Sequence, residues 1–293
     1  MVSPYRRRRR TIAGPTEKLD GIGLHSGIAT WVRILPAAPE TGLVFVDSRV
    51  SEGRPSDFGI GQEVPALAAN VVDTTRCTQL RCGDKIVQTV EHVLSALAGL
   101  GVDDARLEID GVELPAADGS ALPFVELIQS VGIVEHGGEI DPFVVTDPIE
   151  LSDGRGGLVR LEPASEPSYS VTLEYPKHSY IGTQSANGTA TSYATEIAPA
   201  RTFGFLTEID YLRSHGLALG ASYDNALVLG EEGYANERRF DNEMARHKIL
   251  DMIGDLALFG RPIIASITAV KPGHQLNTQM AAKLTELSAS APT

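Results

Sequence analysis

Cysteine is scarce in this chain: 293 residues carry only Cys77 and Cys82. Two thiols exclude a disulfide framework, and alone they cannot build a structural zinc site. Both border a short alternating stretch before a Gly83-Asp84 turn signal, which reads as a hairpin rather than a crosslink and suits a reducing cytoplasm. Long apolar runs are missing as well. Nothing approaches the run of about 20 apolar residues that spans a bilayer, so no transmembrane helix is expected. Positive charge is the third shortage, with 25 Lys and Arg against 38 Asp and Glu and a formal net charge of −13. Binding to phosphate backbones needs a net basic face, which excludes nucleic acid as the main partner. The exception is a run of five arginines at 6–10. No apolar segment follows it, so it does not read as a secretory signal. A basic flexible tail over 1–10 is expected, with weak attraction to an anionic inner-membrane surface as the alternative.

What is present is an ordinary globular composition, long enough for two modest domains. Strand and turn signals open the first half between residues 27 and 46, broken by Pro36, Pro39 and Gly42. A hairpin is predicted over 75–81 and 85–89. A helix follows over 90–100, with Val93, Leu94, Leu97 and Leu100 at helical spacing and Gly101 as its stop. Residues 106–110 alternate like a half-buried strand, and Asp118-Gly119-Ser120 caps a second helix over 122–131. Gly137-Gly138 and Pro142 mark the expected domain boundary. Beyond it, strands are predicted at 159–162 and 171–175, then a polar Ser/Thr/Gly stretch near 182–195, then helices over 206–214, 243–258 and 277–287.

A faint echo links the halves. Glu91-His92 opens a helix ending in Leu100-Gly101, and His247-Lys248 sits near the start of one ending in Phe259-Gly260, 155 positions on (247 − 92). The predicted fold class is therefore α+β: two related two-layer α/β sandwich domains, 11–138 and 139–293, each a mixed sheet with helices on one face.

Three histidines have unusual company. His247 and Asp251 are four apart on a predicted helix and project from one face, with Asp255 a turn further on. Burying carboxylates without partners costs several kcal/mol, so this stripe is either a wet face or converges on a cation. On a helix, neighbours such as Glu91 and His92 point about 100° apart, so one can bind a metal while the other leans over an open coordination position. The same pair is also a favourable arrangement at a helix N-terminus with no metal at all. The face bearing His92 carries the small residues Ser95, Ala96 and Gly99, which permit close approach of another helix or a ligand. His274 follows Lys271-Pro272-Gly273 on a loop just before a helix, where a side chain is positioned rather than packed.

These residues fall in a longer series of blocks. They are Gly21-Ile-Gly-Leu-His-Ser-Gly27, Thr89-Val-Glu-His92, Ala98-Gly-Leu-Gly101, and Asp118-Gly-Ser-Ala121 with Pro123-Phe124. Ala200-Arg-Thr-Phe-Gly-Phe205, Arg246-His-Lys-Ile-Leu-Asp251 with Ile253-Gly-Asp-Leu256, and Gly273-His-Gln-Leu-Asn277 complete it. In this order, the series resembles the bacterial UDP-3-O-acyl-N-acetylglucosamine deacetylases, the zinc enzymes of lipid A biosynthesis. The resemblance implies a cytoplasmic hydrolase that removes the N-acetyl group of UDP-3-O-acyl-N-acetylglucosamine and releases acetate, with its active site between the two domains. It assigns zinc, with Fe2+ as the alternative occupant, to His92, His247 and Asp251, three ligands with an open fourth position. Glu91 is implied as general base, His274 as the acid supporting the departing amine, Asp255 as the carboxylate orienting it, and Thr202 as a donor to the oxyanion. Lys248 and Lys271 match positions near the sugar and diphosphate, and Phe203 one at the pocket mouth. Glu208 stands where many relatives have Asp. The 217–222 stretch, with Gly220 and Ser222, matches the wall of an acyl-chain passage. His25 lies in a matching block that assigns it no role.

The chain departs from the pattern at Pro272, at Ala116-Ala117 and across 175–194, which leaves acyl-chain preference open. The same chemistry on another N-acetylated nucleotide sugar is one rival reading. A non-catalytic lipid-nucleotide binding relative is another, although it is expected to have lost Glu91 or a ligand, and all are present. Gly21-x-Gly23 lacks the third glycine and the strand–turn–helix context of a dinucleotide fingerprint. The acylated nucleotide sugar is thus the expected partner of a monomer that touches the inner membrane surface at most transiently.

Overall fold

The computed structural model describes residues 4–48 and 63–290. Its framework is two five-stranded sheets built on one plan. The first runs Leu19–Ile22 (β2), Ala29–Pro36 (β3), Ala105–Ile109 (β9), Leu43–Asp47 (β4) and Glu63–Pro65 (β5). The second runs Ile149–Ser152 (β12), Leu158–Glu162 (β13), Ser266–Val270 (β19), Ser168–Tyr175 (β14) and Gly182–Thr189 (β15). In both, the central strand pairs antiparallel with one neighbour and parallel with the other: β9 with β3 and β4, β19 with β13 and β14. The sequence echo is therefore a repeat of topology.

Each central strand is bracketed by helices. Glu91–Gly99 (α1) precedes β9 and Leu122–Val131 (α2) follows it, while Glu243–Ala257 (α4) precedes β19 and His274–Ser290 (α5) follows it. Val32, Ile34 and Leu107 of the first sheet and Val159, Leu161 and Val171 of the second belong to one core with Leu94, Leu97, Ile249 and Leu256 of α1 and α4. Burial is nearly continuous along both of these helices. Their polar residues Glu91, His92, His247, Asp251 and Asp255 are therefore inside the molecule, and the wet-face reading of the stripe is ruled out. The cap expected on α2 falls one residue short: Ala121 holds the cap position with no side-chain bond, and Ser120 ahead of it shapes the turn, accepting from Leu122 N–H at 3.2 Å while its own N–H donates to Asp118 Oδ1 at 3.0 Å.

Two small insertions sit beside the sheets. Val71–Asp73 (β6), Gln79–Cys82 (β7) and Lys85–Gln88 (β8) form the expected hairpin plus one strand, and both cysteines are free thiols. Phe203–Phe205 (β16) pairs in parallel with Leu227–Leu229 (β17), and the short helix Ile209–Ser214 (α3) lies between them in sequence. Phe143–Val144 (β11) pairs with Ile263–Ile264 (β18).

Two expectations change. The flexible tail is, from Arg7 onward, a strand, Arg7–Ile12 (β1), paired antiparallel with Ile133–Ile140 (β10). Carboxylates answer its arginines: Arg6 reaches Glu139 and Asp141, Arg7 Asp103, and Arg9 makes a buried two-pronged bond to Asp104 at 2.7 Å on each prong. That matched fork geometry fixes Arg9, and Arg6, Arg7 and Arg9 thus have their charge answered within the fold. Strand β10 passes through Gly137-Gly138, where the sequence suggested a boundary; Gly138 sits at φ +81°, with Arg9 beside it. In addition, the polar stretch near 182–195 contains strand β15. Its inward positions are Gln184, Ala186 and Gly188, too polar or too small to show an apolar alternation.

Candidate metal centre and active site

The centre depends on a close crossing of α1 and α4. A Cβ on Gly254 would stand 2.8 Å from the carbonyl carbon of Glu91 and 3.0 Å from its Cα, so only glycine allows the backbones to come this near. Across this contact, α1 presents His92 to His247 and Asp251 of α4. The possible ligand atoms of the three lie within 4.8 Å of one another. His247 Nε2 is 3.3 Å from Asp251 Oδ1 and His92 Nε2 is 3.8 Å from it.

The donors are prepared for a cation. The Ala200 carbonyl can only accept, so His247 Nδ1 carries the hydrogen at 3.0 Å and Nε2 keeps its lone pair. Burial pushes His92 down to about 3, helped by His247, and burial likewise lowers His247, so both rings are neutral. Burial by itself would raise Asp251, but His247 and Lys248 outweigh it and hold the carboxylate well below its usual range. Its Oδ2 accepts from Lys248 Nζ at 2.7 Å, whereas the buried Oδ1 has no hydrogen-bond partner among the described residues. Two imidazole lone pairs and an orphaned carboxylate oxygen are a donor set that fits a divalent metal.

Beside them lies a second buried network. Glu91 Oε2 accepts from the Thr78 N–H at 3.0 Å. Burial lifts Glu91 to about 7; His274 opposes that shift, and Asp255 and Asp251 add to it. His274 Nδ1 donates to Asp255 Oδ2 at 2.9 Å, which also accepts from Asn277 Nδ2 at 3.0 Å. Burial would lower His274, but the carboxylates Asp255 and Asp251 reverse this and raise it to about 9. His274 is the first residue of α5 rather than a loop residue, and Lys271 at φ +46° turns the chain into it. Thr89, β-branched and at φ +59°, sets the entry to α1, with its hydroxyl donating to Glu113 at 3.0 Å. Glu113 also accepts from the N–H groups of His25 and Ser26 at 2.8 Å each, which holds the 21–27 turn.

An apolar cavity of about 330 Å³ opens nearby, walled by Leu24, Phe205, Ile209, Leu212, Ala221 and Val228. Thr202, Phe203, Ser222 and His25 also border it. Phe203 faces His247 edge-on at 6.1 Å between ring centroids. Gly220 N–H donates to Leu24 O at 3.0 Å, and a Cβ there would strike the Gly23 carbonyl, so this glycine locks the wall to the 21–27 turn.

The structure thus brings Glu91, His92, His247, Asp251, Asp255 and His274 together and puts Thr202, Phe203 and Ser222 at the cavity. Other residues expected to meet substrate have protein partners. Lys248 pairs with Asp251 and lies 5.4 Å from the Phe203 ring, Lys271 pairs with Glu174 at 2.9 Å, and Glu208 pairs with Arg76 at 2.9 Å. Thr78, Asn277, Gly254 and the Ala200 carbonyl went unrecognised in the sequence. Asn277, Gly254 and Ala200 lie within the matched blocks without being singled out, whereas Thr78 lies outside them.

Two neutral imidazoles and a carboxylate, flanked by a second carboxylate and a histidine–aspartate pair, define the site of a metal-dependent enzyme. The chain matches the family described as LpxC, UDP-3-O-acyl N-acetylglycosamine deacetylase, over residues 9–286. It is 41% identical over 281 residues to the UDP-3-O-acyl-N-acetylglucosamine deacetylase of Pseudomonas entomophila (strain L48), across 94% of this chain and 90% of that protein. With the same-named protein of Myxococcus xanthus (strain DK1622) it shares 41% identity over 287 residues, across 97% of this chain and 88% of the relative. The chain belongs to this deacetylase family.

Proposed function

We propose that this protein removes the N-acetyl group of UDP-3-O-acyl-N-acetylglucosamine, releasing acetate, as a step of lipid A biosynthesis. The carrying observation is the convergence of two imidazole lone pairs and the orphaned Asp251 oxygen beside Glu91 and an apolar cavity. Family membership over nearly the whole chain supports it.

His92, His247 and Asp251 hold the metal, zinc or alternatively Fe2+. When bound, such an ion acidifies water toward a pKa of about 7 and polarises the amide carbonyl. Glu91, lifted to about 7, takes the proton of the attacking water as the new C–O bond forms. Thr202 donates to the oxyanion of the tetrahedral intermediate. His274 enters protonated; Asp255 fixes its Nδ1–H, which leaves the Nε2–H to pass to the nitrogen as the C–N bond breaks. The products are acetate and the free amine. Lys248 does two jobs, steadying Asp251 and, with Phe203, facing the sugar. Lys271 and Glu208 exchange their present partners for substrate, and the apolar cavity takes the acyl chain along the wall that includes Gly220 and Ser222.

No helix among the described residues is long and apolar enough to cross a membrane. The two free thiols support a cytoplasmic place of action, and every proposed site residue comes from one chain, so a monomer suffices. Acetate release should therefore be compared between acylated and non-acylated UDP-N-acetylglucosamine. At roughly 0.8 kcal/mol per buried methylene, loss of six methylene contacts lowers kcat/KM on the order of 10³-fold. Equal kcat/KM on the two substrates refutes the acylated assignment and moves the activity to another N-acetylated sugar.

A further inference from the structure

We propose that Thr78 is a positioning residue that holds the proton acceptor and the proton donor of this site in one register; the inference rests on the deacetylase reading above. Thr78 is completely buried immediately before β7 and makes two donations in two directions. Its backbone N–H donates to Glu91 Oε2 at 3.0 Å, and its hydroxyl donates to Asp255 Oδ1 at 2.6 Å. The other oxygen of Asp255 receives His274 Nδ1–H at 2.9 Å. An unbroken hydrogen-bonded path thus runs Glu91–Thr78–Asp255–His274, and Thr78 is its link between the carboxylate that accepts the water proton and the pair that delivers a proton to the amine.

The backbone around Thr78 points the same way. Val90 N–H donates to Thr78 O at 3.4 Å, which ties the residue to the entrance of α1, directly before Glu91. Arg76 and Thr89, on either side of this tie, both hold positive φ, at +66° and +59°. Such non-glycine conformations persist where the surroundings over-determine them. The path also connects separate parts of the chain: Thr78 comes from the β6–β8 insertion, Glu91 from α1, Asp255 from α4 and His274 from α5. A shift of the insertion is therefore felt at both proton-transfer groups together.

Threonine and valine have nearly the same shape, which separates positioning from packing. A packing role predicts that Thr78→Val is tolerated and Thr78→Ser, which loses a methyl, is worse. A positioning role predicts the reverse, because valine leaves Asp255 Oδ1 buried with no donor and lets the carboxylate and His274 turn away. The experiment measures kcat and KM for acetate release from UDP-3-O-acyl-N-acetylglucosamine, with bound zinc, for wild type, Thr78→Val and Thr78→Ser. We expect kcat of the valine variant to fall by about 10²-fold with KM within about twofold and zinc content unchanged, and the serine variant to stay within about threefold of wild type. Where the valine variant does not fold, Thr78→Ala against Thr78→Ser reads the same contrast. Wild-type kcat in Thr78→Val, equal losses in both variants, or a loss confined to KM or zinc content overturns the inference while leaving the deacetylase reading in place. A wild-type protein that binds zinc but releases no acetate instead brings down the reading and the inference with it.

Discussion

Replacing Gly254 with alanine tests the packing that makes the site possible. The new Cβ would lie 2.8 Å from the carbonyl carbon of Glu91 and 3.0 Å from its Cα, with the carbonyl oxygen closer still. All three are backbone atoms, so no side chain can swing aside. Comfortable carbon–carbon separation is about 3.5–4.0 Å, so α1 and α4 must part by roughly 1 Å. Overpacking of this kind costs about 1–3 kcal/mol in stability. The larger effect falls on the proposed metal site: His92 moves with α1, His247 and Asp251 with α4, and metal–ligand distances tolerate only about 0.2 Å. We therefore expect Gly254→Ala to lower the melting temperature, weaken zinc binding by at least about tenfold and reduce kcat/KM on the order of 10²-fold. Gly233→Ala is the control, because a Cβ there meets nothing within 4 Å. Melting curves and competitive zinc titration report the outcome. If Gly254→Ala binds zinc and melts like wild type, the close crossing is not what assembles the ligands.

Two further perturbations follow from buried charge. Arg9→Ala leaves buried Asp104 with only the Gly42 N–H at 2.8 Å on one oxygen and His136 Nε2 at 3.0 Å on the other, and should cost about 1–3 kcal/mol in urea unfolding; a freely solvated tail predicts a change near zero. On the proposed mechanism the pH profile depends on His274. Its value is raised to about 9 in the fold, so it is the protonated donor below that pH, and both kcat and its stabilising share are lost as pH rises through about 9. A nearby divalent cation pulls that limb lower. Asp255→Asn removes the carboxylate that retains the proton and should move the basic limb of kcat to lower pH; an unmoved limb contradicts the assignment.

Much of this architecture is written in local pattern. The 3.6-residue spacing of Val93, Leu94 and Leu97 marks α1, and the turn residues Asp118-Gly119-Ser120 mark the approach to α2, because helices announce themselves through periodicity and the turns that precede them. The His247–Asp251 stripe was visible but ambiguous, since the choice between a wet face and a metal site depends on burial that only the crossing of α1 and α4 supplies. Resemblance to a family removed that ambiguity. Features decided by distant partners stayed hidden. The arginine strand is held by Asp103, Asp104, Glu139 and Asp141, more than 90 positions away in sequence, and no local rule pairs them. Strand β15 hid because its inward residues are not apolar. Lys248 was expected only to face substrate, and its 2.7 Å pairing with Asp251, three residues on along the same helix, was not singled out. Thr78 has no motif at all, because its role arises from where two helices and an insertion meet.

The most direct test of the account is to titrate zinc back into chelator-stripped protein while following acetate release from UDP-3-O-acyl-N-acetylglucosamine. If His92, His247 and Asp251 hold the ion that the reaction needs, the stripped protein is inactive and turnover rises linearly to a plateau at one zinc per chain. Undiminished turnover from metal-free protein would contradict the account at its centre.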